Sequence, residues 1–190
     1  ETDNVESNSM LELEPPKHTR LRGLVLRAFT TRKINTIQPE IAALSYKLLD
    51  DLKSNHVDIL KGFATQLPVI VIARLLGVPE SMAQDLLSWS NDMVMMYQAR
   101  RTKELEIKAN SSTKEFVSFM EKYIEEKRYK PEDDLISHLI AAEQEGDKLT
   151  KDELISTCIL LLNAGHEATV HTIGNGIKAC LLYTSPSPRD

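Results

Sequence analysis

Residues 150–182 read TKDELISTCILLLNAGHEATVHTIGNGIKACLL, and this stretch decides the fold class. Thr150 and Glu153 stand three apart, the spacing of a capping box, with Leu149 and Leu154 placed for a hydrophobic staple across it. The text then stays mostly apolar to about Leu182, roughly 30 residues or about 45 Å of helix at 1.5 Å per residue. A helix so long and so apolar is expected to cross a domain interior. Beyond it, Thr184, Ser185, Pro186, Ser187, Pro188, Arg189 and Asp190 are polar and proline-broken and cannot continue it.

Outward from that helix the rest of the chain also reads as helices. Pro15 and Pro16 open one that runs to about Phe29. Another spans about Ile34 to Leu52, with Ile41, Leu44, Leu48 and Leu49 at helical spacing. A third runs from about Asp58 to Leu76 and stops at Gly77 before Pro79. A fourth covers about Ser81 to Gln98, and a charged one about Lys103 to Lys127. Pro131 is expected to open a short helix reaching about Glu143. No strand-like alternation of useful length and no internal repeat is present. The fold class expected is mainly α.

Composition narrows the function classes. The chain has 190 residues with a net charge of −5, which argues against nucleic acid as a partner. The longest apolar runs, Val69 to Ala73 and Cys158 to Leu162, are of core length, so no membrane span is expected. Two cysteines, Cys158 and Cys180, make no disulfide framework and suit a reduced, cytoplasmic setting. The chain opens at Glu1 without a methionine, so a preceding segment is expected.

Small residues gather on one face of the long helix. At 100° per residue Ala164, Ala168, Thr172, Gly165, Gly176 and Thr169 share an arc of about 140°. A tightly packed helix or a flat ligand would each explain such a face. Glu167 beside it must be paired, solvated or functional in so apolar a helix. His166 and His171 are five apart, which does not fit the His-Glu-x-x-His zinc pattern. On the first helix His18 and Arg22 are four apart and share a face near its positive end, where they could bind one anion. With Lys17, Arg20 and Arg27 nearby, a solvated basic face is the plainer reading. Met93, Met95, Met96 and Tyr97 form either a core contact or an adaptable lid, and Trp89 reads as core.

Three segments carry a resemblance. Pro15-Pro16-Lys17-His18-Thr19-Arg20-Leu21-Arg22, continuing to Ala28-Phe29-Thr30, is similar to the C-helix segment of the bacterial soluble cytochromes P-450. Ala164-Gly165-His166-Glu167-Ala168-Thr169 resembles that family's I-helix motif, Ala-Gly-x-(Asp/Glu)-Thr-(Thr/Ser). Between them, Leu67 to Ala73 with Leu75-Leu76-Gly77-Val78-Pro79 resembles the E helix and its exit. The likeness covers roughly Met10 to Lys178 and implies helices C to I of that fold, truncated at both ends. It makes 1–182 a partial domain and 183–190 a tail outside it.

The resemblance implies a haem-dependent monooxygenase using haem b (iron protoporphyrin IX), dioxygen, a small organic substrate, and electrons from a ferredoxin or similar donor. By the same likeness His18 and Arg22 bind the haem propionates, and Ala164, Gly165 and Ala168 form the wall over haem and oxygen. Glu167 is the proton-delivering acid and Thr169 its neighbour. Met93 to Arg101 fall near the mobile F–G lid. Two departures stand out. Ala168 replaces the family's usual threonine, so ordered water or a substrate hydroxyl is expected to complete the relay. The family's cysteine loop lies beyond this chain's end, and neither Cys158 nor Cys180 has its surroundings. The chain alone is therefore not expected to form a thiolate-ligated haem or to catalyse. The reading of a different class is a non-catalytic helical ligand-binding or interaction domain.

Overall fold

The computed structural model describes residue 5 and residues 7–29, 31–97, 102–144 and 146–184, with the backbone alone at 31–36, 143, 144 and 184. Seven α-helices lie within these: α1 Lys17–Ala28, α2 Thr31–Asp50, α3 Gln66–Leu76, α4 Ala83–Val94, α5 Lys103–Tyr129, α6 Leu135–Ala141 and α7 Lys151–Thr184. A small antiparallel hairpin, β1 Glu143–Gln144 and β2 Asp147–Lys148, joins α6 to α7. The mainly α expectation holds. The hairpin is an addition, too short for alternation to announce it, and it turns through Gly146 at φ 82°.

The capping box forms as read. Thr150 Oγ1 accepts from the Glu153 N–H at 3.2 Å, and Glu153 Oε2 accepts from the Thr150 N–H at 2.9 Å. Leu149 and Leu154 are both buried. Glu153 also takes the Arg20 guanidinium, which reaches Asp147 at 3.1 Å as well. Arg20 is therefore not part of a solvated basic face. It ties α1 to the start of α7.

Several boundaries differ from the sequence expectation. The segment expected as one helix from Asp58 is a π-turn, Leu60–Ala64, followed by α3. The Thr65 N–H bonds five residues back to the Leu60 carbonyl at 2.8 Å, and Pro68 follows in the first turn of α3. The short helix starts at Leu135 and not at Pro131, because Asp134 caps it through the Ser137 N–H at 2.8 Å. The fourth helix ends at Val94, followed by a 3₁₀ turn over Met95–Tyr97. As expected, α3 stops at Gly77, whose φ of 80° suits glycine.

Helix α7 is packed by α3, α4 and α5, while α4 and α5 lie along each other. Leu21, Leu76, Leu86, Phe116, Met120, Leu135, Leu154 and Leu162 fill the space among them. Trp89 is core as expected, edge-on to Phe116 with its Nε1–H donated to Glu115 at 3.1 Å. Burial along α7 is uneven. Glu153 to Ile159, Leu162 and His166 are buried, whereas Glu167 to Thr169 and most residues from His171 onward are exposed. Leu181 and Leu182 are 65% and 68% exposed. The long helix thus crosses the interior of this chain only in its first half. Its expected end at Leu182 moves to Thr184, and the rest of the expected tail lies outside the described residues.

Candidate functional site

The middle of α7 is held in register by neighbours on its inner side. Ile72 of α3 lies against Gly165, where an added Cβ would stand 3.1 Å from Ile72 Cδ1. The next residue, His166, is 4% exposed and sets its Nε2 3.2 Å from the Thr65 carbonyl, in the turn entering α3. Burial lowers the His166 pKa, against opposing pulls from that carbonyl and from Glu167. Farther along, Leu60 closes on Gly174, leaving 2.5 Å for a Cβ. The close approach on the Cβ side of Gly165 comes from a packed helix. Gly176 is different: a Cβ there would meet nothing within 4 Å.

The outer side is bare. Ala164, Ala168, Thr169 and Thr172 are exposed. Thr169 Oγ1 donates to the Gly165 carbonyl at 2.8 Å, and Thr172 Oγ1 to the Ala168 carbonyl at 2.8 Å. The hydroxyl protons beside the site are thus committed to the helix backbone. Glu167 keeps half its side chain in solvent and stands 3.7 Å from His171 Nε2. His166 and His171 do not converge, because the first is buried against Thr65 and the second is exposed.

Beside this stretch lies a half-open cavity of about 270 Å³. Ile159, Leu160, Asn163, Ala164 and Glu167 of α7 form one wall. Val5, Ser9 and Leu11 from the chain's start and Val94 and Tyr97 from the end of α4 form the others. Ser156 Oγ donates to the Val5 carbonyl at 2.9 Å and pins that opening segment to α7. Of the residues singled out from sequence, Ala164 and Glu167 meet here. Gly165, Ala168 and Thr169 do not line the cavity. Met93 is buried core and Tyr97 is cavity wall, while Gln98 to Arg101 lie outside the described residues.

On α1, His18 is half-buried and Arg22 exposed, and neither side chain has a hydrogen-bond or ionic partner among the described residues. The two stand one turn apart as unspent donors, which suits carboxylates of a bound group. Cys158 is fully buried and its thiol is pushed up to about 12 by that burial, so it is neither a thiolate nor accessible.

Sequence reasoning missed Val5, Leu11, Val94, Ile159, Leu160 and Asn163. Asn163 alone carried a readable signal, as a polar residue in an apolar run four positions before Glu167.

The family model for Cytochrome P450 matches residues 2–187 of the chain. A similar protein is the polyketide biosynthesis cytochrome P450 PksS of Bacillus subtilis, 43% identical over 178 residues, which are 93% of this chain and 43% of that one. Among solved structures, P450BioI in complex with an acyl carrier protein ligated to hexadec-9Z-enoic acid superposes with a TM-score of 0.88 at 33% identity, over 96% of this chain and 47% of that one. CYP109E1 from Bacillus megaterium in complex with testosterone superposes with a TM-score of 0.82 at 36% identity, over 93% and 47%. The chain thus spans less than half the length of these relatives.

Proposed function

Because the chain belongs to the cytochrome P450 family, we propose that it is the C-to-I-helix part of a haem-thiolate monooxygenase that hydroxylates a small organic substrate. The observation that carries the reading is the cavity against α7, lined by Ala164 and Glu167 at the edge of a bare face of small residues.

The residues present fit haem b. Among the described residues His18 and Arg22 have no protein partners, and they would hold its carboxylates, while Ala164 and Ala168 offer a flat wall with no side chain to obstruct it. Bound haem supplies the reductive activation of dioxygen, with electrons from a ferredoxin-type donor. The chain's own residues supply substrate binding and protons. Glu167 faces both the cavity and solvent, so its carboxylate can take a proton from bulk water and present it at the cavity edge. Ala168 has no hydroxyl to pass that proton on, and Thr169 spends its own on the Gly165 carbonyl. Ordered water or a substrate hydroxyl bridges the gap. The thiolate ligand of such a haem is a cysteine, and Cys158, fully buried with its thiol pushed up by that burial, does not supply it.

An apolar small molecule suits the walls of Val5, Leu11, Val94, Ile159 and Leu160. The testosterone complex of a relative supports that class. A cytoplasmic setting suits the cysteines: Cys158 and Cys180 are 22 positions apart on one helix, about 33 Å at 1.5 Å per residue, and cannot bridge. Among the described residues no helix is long and apolar enough to cross a membrane.

The test is the reduced, carbon-monoxide-bound spectrum of the full-length protein, where a thiolate-type Soret band is expected. Its absence would overturn the monooxygenase reading in favour of a non-catalytic ligand-binding domain. Ala168→Thr tests the relay: coupling of electron use to product should worsen with the substrate whose hydroxyl serves it. Coupling unchanged or better with every substrate would remove the substrate-assisted step.

A further inference from the structure

We propose that Asn163 orients the substrate by accepting a hydrogen bond from a hydroxyl carried into the α7 cavity, a role that rests on that cavity being the monooxygenase's substrate site. Asn163 lies in the wall between Leu160 and Ala164, one helical turn before Glu167. Its amide oxygen is shut off from water and has no hydrogen-bond partner. An amide left unpaired in an apolar wall costs free energy that a leucine of similar size would not. The neighbouring wall positions Ile159 and Leu160 show what the fold alone would place there.

A second unpartnered atom stands three residues on. His166 sets Nε2 toward the Thr65 carbonyl and leaves Nδ1 buried without a partner. Residues three apart on a helix are neighbours, with Cβ atoms about 5–6 Å apart. The two orphans are complementary. With the proton on Nε2 and directed at Thr65, Nδ1 is an acceptor. A half-turn of the Asn163 amide about its Cβ–Cγ bond, with a small shift of the side chain toward His166, would put the NH2 group on the inner side as a donor for Nδ1. The carbonyl oxygen then takes the outer side, toward the cavity. Thr65 thereby fixes the histidine tautomer, His166 fixes the direction of the amide, and the apolar cavity gains one oriented acceptor. A hydroxyl finds a partner there, and an ether oxygen in the same place finds another lone pair.

The test uses the full-length, haem-loaded protein with testosterone and decan-1-ol, each beside its own methyl ether. Binding is read from the Soret shift and, independently, by equilibrium dialysis. Wild type should bind at least one alcohol about tenfold more tightly than its ether, a factor equal to about 1.4 kcal/mol. Asn163→Leu should abolish that preference. The proposal is overturned if wild type favours neither alcohol, or if the preference survives in Asn163→Leu. The carbon monoxide spectrum separates the two readings. Without a thiolate band in wild type the monooxygenase reading fails; with the band present, any of these results removes only the role of Asn163.

Discussion

Lys127→Met should be among the most damaging single changes away from the cavity. The Lys127 side chain is 7% exposed, and its ammonium lies 2.6 Å from Asp134 Oδ2 and 2.6 Å from Glu132 Oε2. It also sits 5.4 Å from the centre of the Tyr123 ring. Burial pulls its pKa down, but the hydrogen bonds and charges of the two carboxylates outweigh that and raise it. Asp134 is itself 7% exposed and caps α6, while the Tyr123 hydroxyl donates to the Gly77 carbonyl at the end of α3. The cluster therefore joins α5, α6 and the exit of α3, the helix that holds α7 in register. Methionine keeps the volume and leaves the Asp134 charge buried and uncompensated, a loss of about 3–5 kcal/mol. Glu132 is 54% exposed, so Glu132→Gln should cost under about 1 kcal/mol. Asn can still cap α6, so Lys127→Met with Asp134→Asn should recover about half the loss of the single change. Denaturant unfolding of the full-length protein, followed by far-ultraviolet circular dichroism, measures all of these. A Lys127→Met cost below about 1 kcal/mol, or a double variant that simply sums its parts, would refute the reasoning.

Three further outcomes are expected. His166 has a folded pKa below its unfolded value near 6.5, so its contribution to stability is complete above that pH and is lost as the pH falls below it. Unfolding midpoints of wild type should therefore drop more steeply between about pH 7 and 5 than those of His166→Phe, and parallel profiles would contradict this. Gly165→Ala should destabilise by crowding Ile72, whereas Gly176→Ala, with nothing near its Cβ, should raise the helix stability by up to about 1 kcal/mol in thermal unfolding of the haem-free protein. Glu167→Gln should slow turnover about 10²–10⁴-fold with substrate affinity little changed, as read from steady-state rates and spectral titration. A rate within about threefold of wild type would take the proton role from Glu167.

How much was legible before the fold was known depended on whether a signal was local. The capping box at Thr150 and Glu153 and the glycine stop at Gly77 are written within a few residues, and both formed. The π-turn before α3 rests on the bond from Thr65 back to Leu60, which a continuous apolar pattern does not encode. The start of α6 at Leu135 followed the cap at Asp134 and passed over the earlier proline. The site divides the same way. Glu167 and Ala164 were visible as a carboxylate and a small residue at the edge of a stripe. The Thr65 contact of His166 spans 101 positions, and the cavity walls at Val5 and Leu11 come from the other end of the chain. No window of sequence holds these.

The angular positions around α7 bear on the proposed role of Ala168. With Ala164 at 0° and 100° per residue, the small face runs from Ala164 through Ala168 to Thr169, from 0° to about 140°. The cavity wall runs the other way, from Ile159 at about 220° through Asn163 near 260° and Glu167 near 300°, back to Ala164. The two arcs share a single residue, Ala164. His166, near 200°, is the buried pivot between their far edges, and its bond to Thr65 sets the rotation of both. The alcohol the family usually carries at Ala168 would sit about 100° from Glu167, on the small face and outside the cavity. Glu167 and Asn163 lie on the cavity arc, only about 40° apart. A hydroxyl or water held between them would stand on the same side of the helix as the acid, so the proton's path need not cross the helix face to Ala168. On the proposed roles, the alanine would remove a side chain from the small face and leave the route from Glu167 through the cavity. Its restoration to threonine is the change that tells the two routes apart.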